Sequence, residues 1–251
     1  MAYRAGLVVI ATWILFGCSS ESPRSSTSPD ATPGGSRIRV IVLTATRGFR
    51  HDSIPVARDA LTAMAASTGE FAITTTEDVS AITAATLAGY DVLGFVLTTG
   101  ELPFDPAQKA AIVNFVSSGK GFIGIHSAAD TLYDWPDYGR LVGAYFKEHP
   151  WTQAATVLVE DQTHASTSGL GDRFTMTEEY YTFRENPRAV QLLLRLDPSS
   201  VGASGDYPLA WAHSFGAGRA YYNALGHFDA TWRDARFQRQ VAGALRWAAG
   251  R

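Results

Sequence analysis

Three features of the sequence predict an α/β protein built on a mostly parallel sheet. RIRVIVLTAT (Arg37–Thr46) is a β-branched apolar run of the kind buried on both faces of a parallel sheet. From there, strand-like runs alternate with helical periodicity over about ninety residues, the pattern of βαβ units. GFIGIHSAAD (Gly121–Asp130) then breaks abruptly from an apolar strand into small residues. Such a strand-to-helix elbow is where α/β enzymes present a nucleophile, but here it carries His126 instead of Ser or Cys.

After the first strand, Ile54 to Ser67 places apolar residues at helical spacing, with Ser53 as N-cap and Pro55 in the first turn. FAITTTED is a second strand, Ile82–Leu87 a short helix and YDVLGFVLTTG a third strand. A helix runs from Pro106 to Ser118 and stops at Gly119, and GFIGIH is the fourth strand. The second half is less regular. Arg140–Phe146 reads as helix and Gln153–Asp161 as strand. FTMTEEYYTF, AVQLLLRL, PLAWAHSF and GRAYYNALGHF follow as strands separated by Gly, Pro or Asp, and a helix closes the chain from Asp234 to Ala248. Neither an internal repeat nor a glycine-rich phosphate loop is present, which leaves an ATP or dinucleotide site without support.

The N-terminus predicts export. A cationic start at Arg4 precedes an apolar run from Leu7 to Phe16, the length of a signal-peptide core and too short to span a bilayer. Leu15-Phe16-Gly17-Cys18 resembles a lipobox, so Cys18 is the expected site of lipidation and membrane anchorage at the bacterial envelope; an ordinary secretory signal is the alternative. Residues 19–36 are a Ser/Pro/Thr tract expected to act as a flexible tether. The remaining residues, 37–251, suit one large α/β domain. Cys18 is the only cysteine, so no intrachain disulfide can form. A net charge of -3 offers no basic footprint and argues against nucleic acid as a partner.

The carboxyl ends of parallel strands open onto one crevice, where ligands bind. The first strand ends in TRGFRHDS, with Arg47, Arg50, His51 and Asp52. The fourth ends at His126-Ser127, with Asp130 one turn on, and the last ends in LGHFD, with His227 and Asp229. A lone loop histidine is more often solvated or held by a backbone carbonyl. Three of them from three strand ends make a stronger signal. In TMTEEYYTF only one of the adjacent Glu178 and Glu179 can face the crevice. Glu179 is expected inward, sharing its alternation with Met176 and Tyr181, with Glu178 facing solvent or a cation. His149 fits either role, His164 is expected to be structural or exposed, and His213 is left outside the site. The set His51, His126, His227 and Glu179 suits zinc or a similar divalent ion, and equally suits metal-free proton transfer. With no HExxH or other local ligand pair, any metal site must be assembled from distant strands.

VLTATRGFRHDSI, GFIGIHSAAD, EEYYTF and GRAYYNALGHFDATW, in that order, resemble the trehalose-utilisation (ThuA-like) family over essentially the whole domain. The resemblance implies a class I glutamine amidotransferase-like fold, a flavodoxin-like three-layer sandwich. It also implies a carbohydrate ligand, a glycoside or a sugar oxidised at the 3-position. True amidotransferases carry a cysteine at the elbow and a His–Glu pair after a late strand; here His126 stands at the elbow, and His227 and Asp229 follow the last strand. Without a cysteine in the domain, glutamine hydrolysis through a thioester is excluded, and Ser127 lies one residue off the elbow. The roles expected are acid/base or metal ligation for His126 and His227, with Asp229 orienting His227. Arg47 and His51 would hold or polarise substrate, and Glu179 would serve as a further acid/base or ligand. A 3-keto group acidifies its neighbouring C–H, so a histidine could take that proton while a second acid protonates the leaving oxygen. A non-catalytic sugar-binding lipoprotein, or a partner-docking module with a relict crevice, are the other readings.

Overall fold

In the computed structural model, residues 1–3, 5, 6, 9 and 36–251 are described. Cys18, the tether up to Gly35 and all of the signal-peptide core but Val9 lie outside the described residues. No helix among the described residues is long and apolar enough to cross a membrane.

The first half follows the βα rhythm. Strand β1 (Ile38–Leu43) leads through the His51 loop to helix α1 (Ile54–Thr68), then β2 (Phe71–Thr76), α2 (Ala84–Leu87) and β3 (Val92–Val96). Helix α3 (Pro106–Ser117) starts on a capping box in which Asp105 and Gln108 each accept from the other's backbone N–H. It is followed by β4 (Gly121–Ile125), every residue of which is buried. Pro55 opens α1 as expected, but the Ser53 side chain makes no capping bond and its hydroxyl is buried without a partner among the described residues.

The second half departs from expectation. Helix α4 covers Pro136–Val142 and stops at Gly143, so Arg140–Phe146 is not one helix. Gly143 has φ 94°, and a Cβ there would meet Trp211 Nε1 at 2.4 Å. That indole instead donates to the Val142 carbonyl at 2.9 Å, ending the helix by a tertiary contact invisible in local sequence. Strand β5 then runs fourteen residues, Phe146–Val159, through FKEHPW. Pro150 sits where its register with β6 (Arg173–Phe183) shifts, as a proline in a strand requires. The remaining strands are β7 (Gln191–Leu196), β8 (Pro208–Phe215) and β9 (Gly218–Asn223), followed by a short helix α5 (Asp229–Arg233) and α6 (Ala235–Ala248).

All nine strands form one sheet in the order β2-β1-β3-β4-β9-β8-β7-β5-β6. Strands β2, β1, β3, β4 and β9 are parallel, and from β9 outward every pairing is antiparallel. The sheet is therefore mixed, not mostly parallel: hairpin connections in the second half replace the helical crossovers that parallel pairing needs. Helices α3, α4 and α6 pack on β4 and β9, burying the centre of the sheet. The carboxyl ends of β1, β4 and β9 share one edge, above which β5 and β6 supply the opposing wall.

Candidate metal centre

His126 begins a short 3-10 turn directly after β4 and has φ 52°, unusual for any residue but glycine, with its side chain fully buried. Three contacts fix it. Its Nδ1 lies 2.7 Å from the Ala224 carbonyl, which can only accept, so Nδ1 carries the proton and Nε2 is left with a free lone pair. The Tyr222 hydroxyl donates to the His126 carbonyl at 2.7 Å, and the Tyr181 ring lies 4.2 Å from the imidazole centroid.

Around that Nε2 the expected residues converge. His227 Nδ1 is 3.3 Å away and Glu179 Oε2 3.4 Å, while Glu179 Oε2 and His227 Nδ1 are 3.1 Å apart. The His51 ring stands edge-on to both, with centroids 4.8 Å from His126 and 5.1 Å from His227. One donor atom from each of His51, His126, Glu179 and His227 lies within 4.8 Å of all the others. Bonds of about 2.1 Å at tetrahedral angles place donor atoms roughly 3.4 Å apart, so His126, His227 and Glu179 are already spaced for a divalent cation of zinc's size, with His51 within reach as the fourth donor.

Electrostatics point the same way. Burial, with repulsion from His126 and His227, pushes His51 down to about 3, so its ring is neutral at physiological pH. Burial alone would raise Glu179, but its contacts with His126 and His227, the shorter of them the hydrogen bond donated by His227, outweigh it and hold the carboxyl below the usual carboxylate range. For His227, burial lowers the pKa while the Glu179 hydrogen bond more than compensates, leaving it raised. The neutral His51 ring and the ionised Glu179 carboxylate are already in the donor forms that a cation requires, and His227 would release its proton on binding one.

Glu178 does the opposite of what was expected of it. It does not face solvent or a cation but is wholly buried. Its carboxylate accepts the N–H of Gly226 at 3.0 Å, the N–H of His227 at 3.2 Å and the hydroxyl of Thr231. It thereby pins the loop that carries His227. Met176 is buried on Glu178's side of β6, whereas Tyr181 keeps Glu179's side, so strand alternation separates the two carboxylates as it must.

Two expected site residues stand apart. Asp229 does not orient His227; its carboxylate pairs with Arg233 at 3.2 Å across one turn of α5, and Glu179 takes the His227 ring nitrogen instead. Arg47 lines a separate polar pocket of about 350 Å³ with Arg50 and Glu77, on the β2 side of the loop. Arg50 pairs there with Glu77 at 2.9 Å. Ser127 Oγ is 3.5 Å from His51 Nδ1, too long for a firm hydrogen bond. His164 is buried against Tyr221 and Trp247, and His213 reaches the Leu141 carbonyl. His149 joins the site from β5: its Nδ1 is 3.3 Å from Glu179 Oε1, with 47 % of the side chain exposed. The signal available for it was the run FKEHPW itself, once read as a strand antiparallel to TMTEEYYTF.

The centre opens onto a cleft of about 610 Å³ reached past His51 and His227. No curated protein matches the chain. Among solved structures, a ThuA-like protein from Bacteroides uniformis ATCC 8492 aligns at 24 % identity over 88 % of this chain and 95 % of its own, with a TM-score of 0.72. A ThuA-like protein from Parabacteroides merdae ATCC 43184 aligns at 18 % identity over 85 % and 90 %, TM-score 0.71. A protein described as a GMP synthase component from Thermoplasma acidophilum aligns at 13 % identity over 86 % and 96 %, TM-score 0.53. These likenesses show the fold alone. The family model described as "ThuA: Trehalose utilisation" matches residues 39–248, and the chain belongs to that family.

Proposed function

We propose that this protein is a metal-dependent enzyme of carbohydrate metabolism that acts on a glycoside or a 3-keto-sugar. The observation that carries the proposal is the convergence of three histidines and one carboxylate, from four separate segments, within 4.8 Å. His51, His126, His227 and Glu179 would hold the ion. A divalent cation bound there would supply Lewis acidity toward a sugar carbonyl or hydroxyl oxygen. The protein's own part is to fix the donors: Ala224 sets the His126 tautomer, Glu178 holds the His227 backbone, and His149 steadies the second oxygen of Glu179. His149, partly exposed and outside the donor set, is the imidazole placed to pass protons between solvent and Glu179.

Metal-free acid/base catalysis by the same residues is the second reading, favoured by the 3.1 Å pair of Glu179 with His227. Glutaminase chemistry is set aside because Cys18, the sole cysteine, precedes the domain. The three-layer, class I glutamine amidotransferase-like architecture is part of the same proposal, supported by helices that gather in two sets, α1 with α5 and α6, and α2 with α3 and α4. Export and a lipid anchor at Cys18 belong to it as well, on the sequence of residues 1–18. The test is turnover of a panel of glycosides and their 3-keto forms by metal-loaded and chelator-treated protein. Turnover restored by a divalent metal is expected, turnover indifferent to chelation would leave only the acid/base reading, and no turnover of any of them would sink the assignment.

A further inference from the structure

We infer that Phe49 is a stacking platform for an uncharged pyranose ring at the mouth of the centre. Among the described residues of 36–251, Phe49 alone of the large apolar side chains stands mostly in solvent, at 65 % exposure. A single exposed apolar residue is ordinary. This one is different in that its backbone is tied down and its ring stands against a donor histidine. The Thr99 hydroxyl donates to the Phe49 carbonyl at 2.7 Å and itself accepts the Gly48 N–H at 3.2 Å, while the Arg47 N–H donates to the Thr99 carbonyl at 2.8 Å. The tip of the loop is thus fastened to the segment after β3. The ring stands edge-on to His51, with centroids 4.9 Å apart. Across the same cleft Phe228 stands edge-on to His227 at 4.4 Å, so an aromatic ring flanks each of two donor histidines.

The polar groups of the cleft define what the ring would meet. Asp52 lines it, and its carboxylate takes no hydrogen bond or ion pair among the described residues. Asp229 lines it too, with its charge shared with Arg233. Arg233 lines the cleft as well and offsets Asp229, so Asp52 is left as the unpaired acceptor, which suits a ligand rich in hydroxyl donors. An apolar face to lie on Phe49 and hydroxyls around its rim to reach Asp52 describe a pyranose, and about 610 Å³ is room for more than one such ring. This inference rests on the carbohydrate reading above, but not on the metal.

The experiment is calorimetric titration of trehalose into metal-loaded wild-type, Phe49→Ala and Phe49→Trp proteins, with metal content measured on each. Phe49→Ala is expected to weaken trehalose binding about tenfold, Phe49→Trp to hold it within about twofold, and metal content to be equal in all three. Equal affinity in Phe49→Ala and wild type, or no trehalose binding to the wild type at tens of millimolar, would overturn the platform. The expected loss in protein that carries no metal would leave the platform standing and remove the metal centre.

Discussion

The parallel and antiparallel halves of the sheet contribute to the centre in different ways. The parallel half, β2-β1-β3-β4-β9, delivers His51, His126 and His227 from loops at strand ends, where backbone geometry brings unlike segments to one edge. The antiparallel half delivers Glu178, Glu179, Tyr181 and His149 from within long strands, where strand alternation decides which side each residue serves. Nitrogen donors come from one half and the carboxylates from the other, so the centre exists only because β6 lies across from the β4 and β9 ends. Neighbouring Glu178 and Glu179 show the division most sharply: one holds the fold, the other faces the chemistry.

Isosteric substitution of the pair tests that division. Glu178→Gln replaces a carboxylate oxygen that accepts buried donors with an NH₂ that opposes them. The expected cost is about 3 kcal/mol, or roughly 10 °C in Tm, read by thermal unfolding of metal-free protein. Glu179→Gln should leave that Tm within about 3 °C and weaken metal binding about 100-fold, read by metal titration. If the two variants exchanged these phenotypes, the assignment of structural and chemical roles would be reversed. His149→Ala removes only the support to Glu179 Oε1, so a tenfold loss of metal affinity is expected, about 1.4 kcal/mol.

What was legible in the sequence follows the same line. Strand-end histidines could be read because parallel topology predicts where strand ends meet, even with no local ligand motif. Glu179 could be read from strand parity. Glu178 could not, because the donors that make its burial tolerable lie 48 and 49 residues away at Gly226 and His227, and a lone carboxylate is expected in solvent. His149 was obscured by reading Arg140–Phe146 as helix, when a Trp211 contact ends α4 early and frees FKEHPW to extend β5. Asp229 drew the orienting role by analogy with a His–Glu pair, but the helix that starts there turns its carboxylate to Arg233.

The smallest predicted effect lies away from the centre, in the loop between β5 and β6. His164 is buried, its Nδ1 accepts from the Ser166 backbone at 3.2 Å, and burial, partly opposed by Asp161, lowers its pKa. As pH falls through about 6.5 the unfolded chain takes up a proton that the folded chain refuses, so stability from this group is lost toward acid. The loss should accumulate as pH falls below about 6.5. His164→Gln should therefore show a smaller drop in Tm on acidification from neutral pH than the wild type, and an equal drop would remove His164 as a source of acid sensitivity.

Metal binding by the donor set is the measurement on which most depends. Chelator-treated protein titrated with zinc should bind one equivalent per chain, and His51→Ala and His227→Ala variants with unchanged circular dichroism should lose it. Failure of the folded wild type to bind zinc or another divalent ion, or undiminished binding by both variants, would contradict the claim that the two halves of the sheet meet to hold a cation.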